Sequence, residues 1–439
     1  MRRLTTITSL LLLVAMTAFG QDFDTNKLDA YFDTLAKNDR FMGSVAVSKN
    51  GELIYTRSVG FLEAGNPKAA DDNTKYRIGS ISKPFTATLI MKAVAENKLR
   101  LDQTIDNYFP TIENAAEITV NQLLNHRSGI ANFTSRPDYL EWHTQPKSEE
   151  ELVAIIAAGG SDFEPDTKAS YSNSNYVLLT YLLEKVFAKP YASLLDEYIA
   201  QPLGLTNTFV GTAIEPANNE ARSYRALDGW AAEPETDMSI PLGAGAVIST
   251  PTDIIRFGEA LLTGNIIPAE SVGPMKTIKD SYGMGLFQMP FHEKQAFGHS
   301  GGIDGFHSTW RYFPEERVSF ALTSNGTAMN TNDIAVAVLS AVFHKPYDIP
   351  VFSNYQLREG EVQQYLGVYA STQLPLKMTI TNEGNTLLAQ VTGQPSFPLE
   401  ATAKDKFKFD QAGVVIEFDP VKGLLILKQN GGEFSFTRE

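Results

Sequence analysis

Ser80-Ile81-Ser82-Lys83 places a hydroxyl and an amine three residues apart, between Gly79 and Pro84. Residues three apart on a helix share one side. Pro84 is tolerated only in a first helical turn, and Gly79 breaks the extended run before it. The stretch therefore reads as a helix start, followed by a largely apolar helix from Phe85 to Leu99. A serine hydroxyl becomes nucleophilic when a base takes its proton, and a lysine three residues on can supply that base or the charge that creates one. At the positive end of a helix, developing negative charge is stabilised. A chain of this length contains roughly one Ser-x-x-Lys by chance, so the weight of the motif depends on what accompanies it.

Outward from this stretch, strand signals frame a helical middle. Met42 to Ser48 and Leu53 to Ser58 flank Asn50-Gly51, a hairpin signal. Ser308 to Phe313 and Arg317 to Thr323 flank Pro314-Glu315-Glu316 as a second hairpin. Helices are predicted over 84–99, 118–126, 149–158, 175–188, 191–200, 252–263 and 331–344. Thr250, Pro251 and Asp253 occupy the cap, first and third positions of the 252–263 helix. Strands at both ends with helices between predict an α+β (mixed α/β) fold, with one antiparallel sheet built from both ends and the helices packed against it.

Beyond residue 345 the pattern changes. Residues 346–364 read as a linker. From Tyr365 on, turn signals recur at Asn382-Glu383-Gly384, Gly393-Gln394-Pro395, Asp410 to Gly413, Asp419 to Gly423 and Asn430-Gly431-Gly432. The runs between them alternate, as in Val415-Ile416-Glu417-Phe418, which predicts a small all-β meander closing as a barrel over 365–439. At the other end, Arg2 and Arg3, the apolar run through Leu10 to Ala15, and Ala18-Phe19-Gly20 read as a signal peptide over 1–20, with maturation near Gln21. Export to the periplasm or the medium is expected, with no transmembrane anchor because the apolar run is too short.

The chain of 439 residues has no cysteine, which excludes disulfides, zinc–thiolate sites, cysteine nucleophiles and a lipidated cysteine. A formal net charge of −14 argues against nucleic acid and anionic membranes as partners. The six histidines are scattered, and His292-Glu293 lacks the second histidine of a His-Glu-x-x-His metal site. No metal and no cofactor are expected.

Two further motifs accompany Ser80-x-x-Lys83: Tyr171-Ser172-Asn173 before an apolar helix, and His299-Ser300-Gly301 at the edge of the second strand pair. Singly, each has a plainer reading. Tyr171 reads as a core tyrosine, Asn173 as a helix-start residue, and His126 as structural. In this order, however, the three motifs resemble the serine β-lactamase and penicillin-binding protein superfamily. Other branches of that superfamily carry a related set with Ser-Asp-Asn and Lys-Thr-Gly; the tyrosine form is similar to the class C-like branch, with its D-Ala-D-Ala carboxypeptidases, D-aminopeptidases and esterases. Tyr76-Arg77-Ile78-Gly79, Leu123 to Gly129, Gln201-Pro202-Leu203-Gly204 and Tyr282-Gly283-Met284-Gly285 resemble the same family, over residues 25–345. The C-terminal unit is similar to the lipocalin-like appendage of some members.

The resemblance implies a serine hydrolase domain over 21–345. In it Ser80 is acylated, Lys83 and Tyr171 handle its proton, and Asn173 holds Lys83 and orients the substrate amide. His299 and Gly301 orient the substrate, and the backbone N–H groups of Ser80 and Gly302 form the oxyanion hole. Tyr171, with an ordinary pKa of about 10, needs help from Lys83 and nearby dipoles to act as a base. His299 stands where β-lactamases carry lysine; partly charged near neutral pH and able to pass a proton, it favours peptidase or esterase chemistry with weak β-lactamase activity. Tyr139, Trp142 and His143 are candidates to line the cleft. The expected substrate is a small molecule or a peptide, cell-wall peptides included; oligomeric state is left open.

Two rival readings remain. The same site can be acylated and released slowly, as a penicillin-binding receptor. Alternatively, Gly298-x-Ser300-x-Gly302 matches the nucleophile elbow of α/β-hydrolases, which needs strand, sharp turn and helix in succession.

Overall fold

The structure is a computed structural model that describes residues 24–439 apart from 66–67, 228, 353–354, 356, 359, 375 and 430–431. The expected signal peptide and its cleavage point lie outside the described residues, as do Asn430 and Gly431 of the last turn signal.

The predicted hairpins join into one sheet. Strands Phe41–Lys49 and Glu52–Val59 form the first hairpin, and Phe306–Phe313 and Val318–Thr327 the second. The 41–49 strand pairs antiparallel with the 318–327 strand, so the two ends of the region meet at the sheet centre. The edge is completed by Phe297–Ile303 and the short Phe287–Gln288 strand. Alternating side chains along a strand point to opposite faces. Val45, Val47, Phe320 and Leu322 accordingly pack with Leu28, Phe32, Ile334 and Val338 from the helices Thr25–Lys37 and Thr331–Val342. Ala46 and Ala321 face the opposite core, with the helices of the middle of the chain. The helical middle does pack against the sheet, but it covers one face only; the first and last helices cover the other.

Most predicted helices form within a few residues of their expected bounds: Ser82–Ala95, Val120–Leu124, Glu149–Gly159, Asn173–Phe187, Pro251–Leu262 and Thr331–Val342. Thr250 caps the 251–262 helix by accepting the N–H of Asp253 at 3.2 Å, as its sequence signal predicts. The run 191–200 divides into an α-helix over Tyr191–Leu195 and a π-helical turn over Asp196–Ala200. A second sheet of three short strands, Tyr76–Arg77, Val247–Ser249 and Phe209–Val210, lies beside the serine. Strands this short carry no alternating pattern and were not legible.

Eight antiparallel strands from Gly367–Ala370 to Gly432–Arg438 close into a barrel in chain order. Tyr365, Tyr369, Phe407, Ile416, Leu425 and Phe436 are buried in its core, so the lumen is filled by side chains. Arg40 joins this barrel to the main sheet through a two-pronged ion pair with Glu400, at 2.6 Å for each contact. Among the described residues no helix is long and apolar enough to cross a membrane.

Candidate active site

Gly79-Ser80-Ile81 form a single 3-10 turn that runs into the Ser82–Ala95 helix. Ser82 secures the junction: its hydroxyl donates to Gly79 O at 2.7 Å and accepts the N–H of Val247 at 3.0 Å. Lys83, in the first turn of the helix, is wholly buried. Its Nζ lies 3.0 Å from Ser80 Oγ, 2.8 Å from Asn173 Oδ1 and 2.8 Å from the Ala244 carbonyl. Burial holds the Lys83 amine well below the usual lysine range, because a low-dielectric site disfavours the charged form. A neutral amine has two hydrogens and one lone pair. Asn173 Oδ1 and Ala244 O accept the two hydrogens, which leaves the lone pair for the Ser80 hydroxyl.

Asn173 begins the Asn173–Phe187 helix. Its Nδ2 donates to Thr134 Oγ1 and its backbone N–H to Asn132 Oδ1, each at 3.0 Å. The amide is thereby oriented with its oxygen toward Lys83. The Ala244 carbonyl carries no side-chain signal, although Gly243 and Gly245 beside it hint at a tight approach. A Cβ at Gly243 would stand 2.4 Å from the hydroxyls of both Thr86 and Thr180, so only glycine lets this turn reach Lys83.

Tyr171 shares a hydrogen bond with Ser80, and its ring centroid is 4.7 Å from Lys83 Nζ. Its ring is packed among those of His126 (4.4 Å), Tyr282, Phe287 and His299 (each 6.3 Å). This burial pushes the Tyr171 pKa up, against a smaller opposing effect of the Ser80 hydrogen bond. The expectation that Lys83 would help Tyr171 to a phenolate is corrected: burial disfavours the phenolate, and the Lys83 amine is itself held below the usual lysine range. His126, read as structural, is buried beside Tyr171 and accepts the Ser172 N–H on Nδ1 at 3.2 Å. Burial, then Lys83 and His299, hold it well below the usual histidine range.

His299 is likewise corrected. It is 2% exposed, with Phe287 at 4.3 Å between ring centroids, and burial, reinforced by Lys83, pushes its pKa down to about 3. It is neutral at pH 7, not partly charged. Its Nδ1 lies 2.5 Å from the Ser300 carbonyl. A neutral ring must keep its proton there, so Nε2 is an acceptor.

Gly301 contributes by lacking a side chain. A Cβ there would meet Ile78 O at 2.1 Å and Ser80 N at 3.0 Å, and one on Gly79 would meet Gly302 N at 2.8 Å. The serine turn and the edge strand thus touch through bare backbone, with the N–H groups of Ser80 and Gly302 in the same region. Ser300 lies exposed within the Phe297–Ile303 strand, which continues by a tight turn into Phe306–Phe313. The strand–turn–helix of a nucleophile elbow is absent at this motif.

Ser80, Asn173 and Gly302 open into a cleft of about 740 Å³. Tyr139, Leu140 and His143 line it, from a short helix over Tyr139–Trp142 and its C-terminal cap. Trp142 stands behind them against Phe133, with 6.3 Å between ring centroids. Arg136 also lines the cleft but is held by both oxygens of Asp138, at 2.9 and 3.0 Å. Asp304, buried at the cleft wall, pairs with Arg77 at 2.9 Å, a contact the sequence did not announce. Among the described residues no group of three or more His, Asp or Glu side chains could hold a metal ion.

A helix-covered antiparallel sheet, with a serine and a buried lysine on one helix start and a tyrosine and asparagine on another, defines a serine hydrolase of the β-lactamase fold. The chain belongs to the Beta-lactamase family, whose sequence model matches residues 28–344. It is 26% identical to "Penicillin-binding protein 4*" of Bacillus subtilis (strain 168), over 94% of this chain and 98% of that protein. It is 25% identical to "Teichoic acid D-alanine hydrolase" of Staphylococcus aureus (strain MRSA252), over 70% of this chain and 75% of that protein. Among solved structures it is similar to D-amino acid amidase from Ochrobactrum anthropi SV3 in complex with L-phenylalanine amide. That likeness has a TM-score of 0.66 and 29% identity, and covers 73% of this chain and 98% of that one.

Proposed function

We propose that the protein hydrolyses amides or esters of D-amino acids through a Ser80 acyl-enzyme, in the manner of an amidase or aminopeptidase. The observation that carries this reading is the neutral, buried His299. A carboxypeptidase or β-lactamase substrate presents a carboxylate near the edge strand, and a fixed cation there would favour it. Here the buried ring supplies no cation, and among the described residues the one cation lining the cleft, Arg136, is paired with Asp138. Two relatives named for D-amino-acid chemistry support the substrate class.

In this reading the Ser80 proton passes to Lys83 as Oγ bonds to the carbonyl carbon. The oxyanion is held by the N–H groups of Ser80 and Gly302. The neutral Tyr171 hydroxyl gives its proton to the leaving amine or alcohol and takes the one held by Lys83. Water then cleaves the acyl bond by the reverse relay, and Asn173 keeps Lys83 in register. Export, as the N-terminal run suggests, belongs to the same proposal.

The test is a panel of D- and L-phenylalanine amide, a D-Ala-D-Ala peptide, nitrocefin and a short nitrophenyl ester, with Ser80→Ala as control. D-amide and ester turnover that vanishes in Ser80→Ala is expected. A preference for nitrocefin or the D-Ala-D-Ala peptide would overturn the reading. The alignment with a penicillin-binding protein over nearly the whole chain favours a second reading, a slowly released acyl-enzyme; a stoichiometric adduct seen by mass spectrometry without product release would select it.

A further inference from the structure

A second cavity, of about 590 Å³, lies in the seam between the hydrolase sheet and the barrel. Cavities of this size between structural units are common ligand sites. Glu233 and Asp304 line both this cavity and the Ser80 cleft, so the two spaces share a wall. The hairpin turn at Asp304 forms part of it, with Gly302 on one strand and His307 directly opposite on the next.

The lining specifies a chemistry. Every charged side chain in it is already paired. Arg40 binds Glu400, Lys408 binds Asp410 at 2.7 Å, Arg225 binds Glu233 at 3.0 Å, and Asp304 binds Arg77. An ionic ligand would have to compete with these pairs. Apart from the buried Nε–H of Arg40, which has no partner among the described residues, the hydrogen-bonding groups left over are neutral. Among the described residues, the His307 side chain has no hydrogen-bond partner, and Asn385 and Ser396 sit exposed on the barrel rim. Burial favours the neutral form of His307. Beside them, Phe397 and Phe409 stack with 4.7 Å between centroids and form an aromatic platform. The barrel lumen is filled by its own side chains, so the seam is where the barrel offers space.

We propose that the seam cavity is a second substrate-binding site that takes an uncharged, amide-bearing peptide segment remote from the scissile bond, with its apolar side chain on the Phe397–Phe409 platform. The proposal rests on the Ser80 hydrolase reading above and makes the barrel a specificity element. Binding energy from a remote segment is available to the reacting centre.

The experiment compares D-phenylalanine amide with neutral peptides extended on either side of the same bond, in the wild-type protein, Ser396→Trp and Phe397→Ala. Ser396 is exposed, so tryptophan there fills the cavity mouth without disturbing the core. Both variants are expected to raise KM for the extended peptides on the order of tenfold or more, with kcat/KM for the short amide unchanged. Equal effects on both series, or none on either, would overturn the proposal. Titration of the extended peptide into Ser80→Ala, with and without Ser396→Trp, reads the seam independently of turnover; binding indifferent to the tryptophan would overturn it there too. Failure of the wild-type protein to cleave the short amide would instead count against the Ser80 reading.

Discussion

Replacing Lys83 by methionine removes the amine while keeping the length of a buried, unbranched side chain. Three contacts disappear, to Ser80 Oγ at 3.0 Å and to Asn173 Oδ1 and Ala244 O at 2.8 Å. Losing a positioned general base typically costs about 10²- to 10⁴-fold in rate. Two buried acceptors also lose their donor, at about 1–3 kcal/mol each, offset because an amine whose charged form is disfavoured by burial is also gone. Activity should therefore collapse while the stability change stays smaller than the orphaned acceptors alone suggest. The pH dependence gives the sharper reading. Because the folded-state pKa of Lys83 is lowered, the unfolded chain binds more protons between the folded and unfolded values. The stability associated with Lys83 is then fully present above the unfolded lysine pKa and lost as pH falls through the folded one. Acylation, followed by stopped-flow release of a nitrophenol, should rise with pH through the depressed pKa and level off well below the ordinary lysine range. In Lys83→Met both trends should vanish. A wild-type profile that keeps climbing to about pH 10, where an ordinary lysine titrates, would refute the neutral-amine argument.

Other consequences are as direct. His299→Gln keeps this buried position neutral, and should preserve the ratio of kcat/KM for D-phenylalanine amide to that for carboxylate-bearing substrates; a shift away from carboxylate-bearing substrates in steady-state assays would show that the imidazole carries charge. Tyr171→Phe keeps the ring among His126, Tyr282 and Phe287 but removes the hydroxyl; a fall of about 10²- to 10⁴-fold in kcat with near-native melting is expected. Asp304→Asn breaks a pair in which both side chains are 2% exposed, and urea unfolding should show a loss of about 3–5 kcal/mol. Gly243→Ala forces a methyl toward Thr86 and Thr180; overpacking of about 1–3 kcal/mol and a displaced Ala244 carbonyl should lower activity and stability together.

What could be read from the chain were features whose cause is local. Ser80 and Lys83 share a face because a helix repeats every three to four residues. Asn50-Gly51 turns a hairpin because those residues accept positive φ, as they do here. The barrel announced itself through turn residues at regular spacing. Tyr171 and Asn173 were legible by their order after the serine, and the structure brings both to Lys83.

The remainder depends on which atoms the fold stacks around a group. Nothing in the letters Tyr171 and His299 states their protonation; that follows from the rings of Phe287, Tyr282 and His126 converging from distant segments, which strip water from both. The Ala244 carbonyl is a backbone atom, identical in every residue, and its role exists only because Gly243 allows the close approach. The sequence by itself determined the chemical groups, their spacing on helices and the places where the chain turns, since these are set by neighbours along the backbone. Tertiary structure alone decided that the Lys83 amine is buried and held below its usual range, that the histidine is neutral, and that the filled barrel leaves its open space at the seam, since desolvation and cavities belong to contacts between segments far apart in the chain.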